Sequence, residues 1–211
     1  MIKWLEDAVF YEVYPQSFRD SNGDGIGDIP GITEKLEYIQ ELGCNALWIN
    51  PCFTSPFYDA GYDVEDYYSV APRYGTNEDL KKLFEAAHQR GMHVLLDLVP
   101  GHTAVTHPWF QESMKAEKNE YTDRYVWTDS LYKRMEDVKG IVSVLRGISP
   151  RPASCGVNCF STQPALNYGF ANITDAGWQQ PTDAPGPMAT REELKNIMRF
   201  WLTLGCDGFR V

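Results

Sequence analysis

Three times along the chain, an apolar stripe of helical period is followed by a glycine and then by a short, nearly continuous apolar run. Ile32, Leu36, Ile39 and Leu42 fall on one helical face, Gly43 follows, and residues 44–50 read as a buried strand. Leu80, Leu83, Phe84 and Ala87 repeat the stripe, with Asn77 as predicted N-cap, Gly91 as the stop and 93–99 as the strand. Leu194, Ile197, Met198, Trp201 and Leu202 repeat it again. Thr190 and Glu193 read as a capping box before this last stripe, and Gly205 as its stop ahead of a strand at 206–211. An earlier run, 9–14, adds a first strand. Strands alternating with helices predict an α/β fold with a parallel sheet and right-handed crossovers. Unbroken apolar strands agree, because parallel strands are covered on both faces.

The regular spacing lapses between the third strand and the third helix. The interval, about 103–189, is far too long for an ordinary strand-to-helix loop. It contains strand-like pieces at 124–128 and 140–145 and a stretch rich in Pro and Gly at 181–187. A small β-rich subdomain inserted after the third strand is expected, dividing the chain into 1–102, 103–189 and 190–211. Polar residues gather where strands end: Asn50, Asp97, His102 and Arg210. Ligands bind at the carboxyl ends of parallel strands in both doubly wound sheets and (β/α)8 barrels. The pattern alone fits either.

Composition narrows the partners. The 211 residues carry 29 acidic and 19 basic side chains, a formal net charge of −10. Nucleic-acid binding is disfavoured, since phosphate needs a basic surface. The N-terminus lacks the apolar core of a secretory leader, and no run is long enough to span a membrane. Five cysteines, an odd number, are expected as free thiols in a reducing compartment, which makes the expected location cytoplasmic. Cys155 and Cys159 have poor spacing for zinc.

Residues 20–28 form a candidate cation loop. Asp20, Asn22 and Asp24 place oxygens at alternate positions, and the Ile26 carbonyl and Asp28 extend the series, as in the first part of an EF-hand loop. Gly31 stands where an EF-hand has its closing Glu. Ca²⁺ or Mg²⁺ is expected here, with a metal-free series of Asx turns as the alternative.

Several stretches together resemble the α-amylase family of glycoside hydrolases. The family's D-x-V-x-N-H stands as Asp97-Leu98-Val99-Pro100-Gly101-His102, and its G-F-R-x-D as Gly208-Phe209-Arg210-Val211. G-Y-D-x-x-D-Y is met by residues 61–67. The Q-P-D-L-N of the oligo-1,6-glucosidase branch stands as Gln163-Pro164-Ala165-Leu166-Asn167, and Tyr14-Pro15-Gln16-Ser17-Phe18 also resembles that branch. The resemblance implies the first half of a (β/α)8 TIM barrel, with a subdomain inserted after the third strand.

It also implies chemistry. Retaining glycoside cleavage uses two carboxyl groups about 5 Å apart. The family's nucleophile follows G-F-R-x, so it is expected at position 212, with the acid/base further on. The chain as given is therefore expected to lack all three catalytic carboxylates, to be inactive alone, and to need the remainder of its own polypeptide, because four strands cannot close the barrel. Arg210 would flank the nucleophile, and Asp97 would orient Arg210. His102 would donate to the sugar, Tyr62 would stack on it, and Asp59 would grip hydroxyls of a terminal glucose. Asp63 and Asp66 read as residues that cap turns or pair structurally. Trp109, Phe170 and Trp178 either line subsites or pack within the insert. The family's second calcium site, between barrel and insert, is expected to be lost, since Gly101 and Ala165 replace its Asn and Asp. The implied substrate is an α-linked glucan or malto-oligosaccharide. A transglycosylase, a trehalose-forming isomerase and a non-catalytic relative remain alternatives, and 1,4 versus 1,6 linkage stays open.

Overall fold

The computed structural model describes residues 2–133 and 141–211. A 3-10 turn at Lys3–Asp7 precedes β1 (Phe10–Val13), α1 (Pro15–Phe18), α2 (Ile29–Glu34), α3 (Leu36–Glu41) and β2 (Ala46–Ile49). There follow β3 (Phe53–Thr54), β4 (Asp66–Val70), α4 (Asn77–Gln89), β5 (His93–Asp97) and α5 (Pro108–Ser113). The chain continues with β6 (Ser143–Leu145), β7 (Cys155–Val157), α6 (Pro185–Leu204) and β8 (Gly208–Arg210). The start of the strand expected at 140–145, Gly140, lies outside the described residues. Two compact units emerge: Met1–Thr54 with Asp66–Leu98 and Ile197–Val211, and Ser55–Glu65 with Val99–Asn196.

The first unit is built on a four-stranded sheet in the order β1-β2-β5-β8, parallel at every pairing. The α/β pattern of the sequence is realised there. Strand side chains alternate, so the register decides who shares a face. Trp48 pairs with Leu95, Leu95 with Gly208, and Asp97 with Arg210. These five residues therefore project to one side. Leu47, Ile49, Val94 and Leu96 project to the other and are fully buried.

Helix boundaries depart from the sequence reading in instructive ways. The stripe Ile32, Leu36, Ile39 is buried as expected, but two helices carry it, broken at Lys35, where φ is −105° and ψ 8°. Thr76, not Asn77, caps α4: its hydroxyl accepts from the Asp79 N–H while the Asp79 carboxylate accepts from the Thr76 N–H. The Asn77 side chain instead accepts from Val70 N–H and donates to the Tyr68 carbonyl, tying the helix start to β4. The capping box expected at Thr190 and Glu193 is absent, because α6 begins at Pro185, inside the stretch expected to be a linker. Proline needs no N–H partner in a first turn. Thr190 lies mid-helix and donates to the Gly186 carbonyl. Further along α6, Trp201 is fully buried, stacks on Phe53 at 5.2 Å and donates to the Tyr67 carbonyl at 2.8 Å.

The second unit has little regular structure. β6 and β7 pair antiparallel, while the expected strand over 124–128 forms only isolated bridges, Tyr125 to Leu166 and Trp127 to Cys155. Aromatic packing holds it together. Phe110 lies parallel to Trp127 at 6.0 Å, and Phe170 meets Trp178 edge-on at 5.3 Å. Arg151 lies 4.3 Å over the Trp127 ring and donates to the carbonyls of Ser113 and Thr122. Phe170 and Trp178 are thus packed against Val126 and Ala165. The five cysteines are free thiols. Among the described residues, no helix is long and apolar enough to cross a membrane.

Candidate active site

In the first unit, Asp97 and Arg210 end adjacent strands in register. Arg210 donates from Nη1 to the Asp97 carboxylate, at 3.2 Å to Oδ1 and 3.5 Å to Oδ2. Trp48 donates from Nε1 to Oδ2 at 3.3 Å, and its ring lies under the guanidinium, 4.5 Å from Cζ. The Asp97 side chain is 1% exposed and that of Arg210 45%. A buried carboxylate needs both a counter-charge and hydrogen bonds, and Asp97 has them from two directions. Arg210 is held along one edge by the carboxylate and on one face by the indole. Trp48 was not singled out from sequence, because the face it shares with Asp97 is set by the register between strands.

In the second unit, Asp59 and Tyr62 lie on a loop organised by Asp63, and His102 meets that loop at the Tyr62 carbonyl. The fully buried Asp63 carboxylate accepts from Ser55 Oγ at 3.0 Å, Tyr58 N–H at 2.8 Å and Asp59 N–H at 3.1 Å. It holds a turn in which Phe57 and Ala60 have φ of 59° and 51°. Side chains other than glycine resist that region, at a cost of about 1–3 kcal/mol each. The Tyr62 N–H closes the turn on the Asp59 carbonyl at 2.8 Å.

His102 Nε2 stands 3.0 Å from the Tyr62 carbonyl. A carbonyl only accepts, so Nε2 carries the proton and Nδ1 is the acceptor, with Asn158 Nδ2 3.4 Å away. Burial lowers the His102 pKa below its ordinary value, although the Tyr62 carbonyl and the charges of Asp59 and Asp63 act in the opposite sense. The ring is thus neutral near pH 7, and its Nε2 proton is directed at a protein carbonyl.

Two amides complete this cluster, Asn158, which the sequence reading missed, and Gln163, which it quoted only as part of the Q-P-D-L-N stretch. Gln163, fully buried, donates from Nε2 to Asp59 Oδ2 at 2.6 Å and accepts on Oε1 from the Phe160 N–H at 3.1 Å. Asn158 approaches His102 through space that residue 101 leaves open, since a Cβ on Gly101 would lie 2.5 Å from Asn158 Nδ2. Leu166 N–H donates to the Gly101 carbonyl, and Ala165 bridges to His102. Gly101 and Ala165 are therefore neighbours in space, and neither brings a side-chain oxygen.

The loop at 20–28 braces itself. Asp20 accepts from the N–H groups of Asn22, Gly23 and Gly25, Asn22 from Asp24, and Asp24 from Ile26. The N–H bonds from Gly25 and Gly23 hold the Asp20 carboxyl below the usual range. Asp28 accepts from Ser21 and caps α2 through the Gly31 N–H. Gly31 cannot be a closing Glu, because a Cβ there would lie 2.1 Å from the Arg19 carbonyl oxygen. Among the described residues, no group of three or more His, Cys, Asp or Glu is gathered closely enough to form a metal cluster. The loop's potential donors are all hard oxygens, the kind Ca²⁺ and Mg²⁺ take.

Residues 12–211 match the family model of the alpha amylase catalytic domain. An oligo-1,6-glucosidase of Bacillus sp. is 38% identical over 211 residues, spanning 100% of this chain and 39% of that relative. The trehalose synthase/amylase TreS of Mycolicibacterium smegmatis is 42% identical over 214 residues, spanning 99% of this chain and 33% of that relative. The crystal structure of the trehalulose synthase MutB from Pseudomonas mesoacidophila superposes with a TM-score of 0.82 at 38% identity, covering 98% of this chain and 35% of that one. The chain therefore spans well under half the length of these relatives. Its parallel sheet, which does not close on itself, corresponds to the N-terminal part of their barrel. With the family model matched over 12–211, the chain belongs to the alpha-amylase family of glycoside hydrolases.

Proposed function

We propose that residues 1–211 are the N-terminal part of a retaining α-glucoside hydrolase acting on short α-linked gluco-oligosaccharides. The observation that carries the reading is Arg210, fixed at the end of β8 by Asp97 and Trp48. The family motif puts the nucleophilic Asp two positions after this arginine, in polypeptide beyond residue 211. A neighbouring guanidinium keeps such a carboxylate ionised. Asp59, with Oδ2 taken by Gln163 and no protein partner on Oδ1 among the described residues, suits a sugar hydroxyl. Tyr62 offers an aromatic face for a pyranose. His102 acts mainly by fixing the Tyr62 carbonyl, and reaches a sugar only by sharing its Nε2 proton.

The test is turnover by the full-length protein of maltose, isomaltose, starch and a nitrophenyl α-glucoside, with the product anomer followed by NMR. Hydrolysis of the short glucosides with retention is expected, and residues 1–211 alone should turn over none of them. A residue other than Asp two positions after Arg210, or no turnover by the full-length protein, would refute the reading. The names of the trehalose and trehalulose synthases among the relatives favour one second reading, glucosyl transfer within the site. Trehalose appearing from maltose faster than glucose would select it.

The loop at 20–28 is proposed to bind Ca²⁺ or Mg²⁺ for stability, through Asp20, Asn22, Asp24, the Ile26 carbonyl and Asp28. Millimolar Ca²⁺ is expected to raise Tm by several degrees over chelated protein, since saturation at a hundredfold over Kd contributes about 2.7 kcal/mol. Asp20→Ala should abolish that difference, and equal Tm values with and without chelator in the parent would count against the site. The free thiols suit the proposed cytoplasmic location.

A further inference from the structure

We infer that Gln163 is a positioning residue for Asp59, setting which carboxylate oxygen is presented to a sugar hydroxyl. The inference rests on the proposed glucoside site and adds a residue to it. The amide has no freedom to turn. Its Oε1 must accept from the Phe160 N–H at 3.1 Å, which leaves Nε2, a donor, facing Asp59 Oδ2 at 2.6 Å. The side chain is fully buried, so no solvent replaces either bond. Asp59 is also pinned through its own backbone, because its N–H donates to Asp63 and its carbonyl accepts from Tyr62. With Cα placed by the turn and Oδ2 placed by Gln163, the remaining freedom of the carboxylate is small. Oδ1 then points in one direction, and a hydroxyl that binds there pays little ordering entropy at the protein's side.

The partner of Asp59 lies 104 residues away along the chain. The short span 158–163 carries both amides, with Asn158 on His102 and Gln163 on Asp59. Its fold is held locally: Gln163 N–H donates to the Phe160 carbonyl, and Asn158 N–H to the Gln163 carbonyl. A change in this span therefore reaches Asp59 and His102 through their side-chain partners.

Gln163→Glu tests the inference, because it keeps the size and the acceptor for Phe160 but sets a carboxylate against a carboxylate. Two carboxyl groups at that distance share one proton at low pH, as neighbouring carboxylates do. In the full-length protein, KM for a short α-glucoside is expected to rise about tenfold at neutral pH, the scale of one charge-assisted hydrogen bond. The loss should shrink as the pH falls, while kcat changes less than KM. Gln163→Met, which keeps the bulk but removes both the donor to Asp59 and the acceptor for Phe160, should raise KM by at least a similar factor with no change in pH dependence. An unchanged KM in Gln163→Glu would overturn the inference. So would equal losses in both variants with a common pH profile, which would leave Gln163 only a packing role. If the parent protein turns over no α-glucoside, the functional reading fails, and the pairing is decided separately by NMR. Gln163 side-chain amide protons that are protected from exchange, and lose that protection in Asp59→Ala, support it; unprotected protons in the parent refute it.

Discussion

Asp63→Ala should destabilise the protein by about 3–5 kcal/mol and disorder the loop that carries Asp59 and Tyr62. The carboxylate removed is fully buried and is the common acceptor for Ser55 Oγ and for the N–H groups of Tyr58 and Asp59. Each buried donor left unpaired costs about 1–3 kcal/mol. The native turn also keeps Phe57 and Ala60 at positive φ, a conformation that those bonds offset. Without them the backbone relaxes toward ordinary φ, and Asp59 moves away from Gln163. Two measurements check this: denaturant unfolding of the variant, and KM for a short α-glucoside, which should rise at least tenfold in whatever fraction stays folded. Asp63→Asn keeps one acceptor oxygen and should lose about half as much stability. A loss below about 1 kcal/mol for the alanine variant would mean that the turn is held by other groups.

Asp63 also shows what a sequence makes legible. Its role as a turn-capping residue could be read from a short polar side chain in a loop, because its partners lie within eight residues. The sheet was legible for a related reason. Apolar runs of strand length and the glycines before them depend on local physics, and the gathering of Asp97 and Arg210 at strand ends followed from those runs, while their pairing in register did not. Helix starts were less so. Thr76 and Asn77 are both good capping residues, and the choice between them was made by Val70 and Tyr68, which claim the Asn77 side chain. Thr190 and Glu193 sit three apart, as in a capping box, but the same spacing occurs inside any helix. Pro185 upstream moved the start.

The amides Asn158 and Gln163 could not be read in this way. They lie in a segment without periodicity, and their partners are 56 and 104 residues distant. Gly101 carries the trace of one of them. A missing side chain next to His102 looked only like the loss of a calcium ligand, whereas in the fold it opens the approach of Asn158. Trp48 is the intermediate case. Its shared face with Asp97 is visible only once the strand register is known, and an aromatic residue on a strand gives no local sign that a guanidinium will lie on it.

Arg210→Ala should lower kcat/KM for α-glucosides by about a thousandfold in the full-length protein. On the proposed mechanism, the guanidinium flanks the nucleophilic carboxylate. A cation so placed lowers an acid's pKa by about 1–3 units, and removing a preorganised charge of this kind costs about 10²–10³ in rate. The sign of the pH effect follows. The nucleophile reacts only when ionised, so activity falls as pH drops through its pKa. Losing the cation raises that pKa, and the acid limb of the profile should move to higher pH by about 1 unit or more. The variant also leaves the buried Asp97 with the Trp48 indole in place of its counter-charge. Breaking a buried pair costs about 3–5 kcal/mol, and the half-exposed Arg210 puts the expected loss nearer 2 kcal/mol. Arg210→Lys separates the two roles. It restores a charge but neither the planar fork for Asp97 nor the stacking on Trp48, so the acid limb should return toward that of the parent while the rate stays about tenfold low. An alanine variant within a factor of about three of the parent, with its acid limb unmoved, would remove Arg210 from the catalytic machinery and leave it as the partner of Asp97 alone.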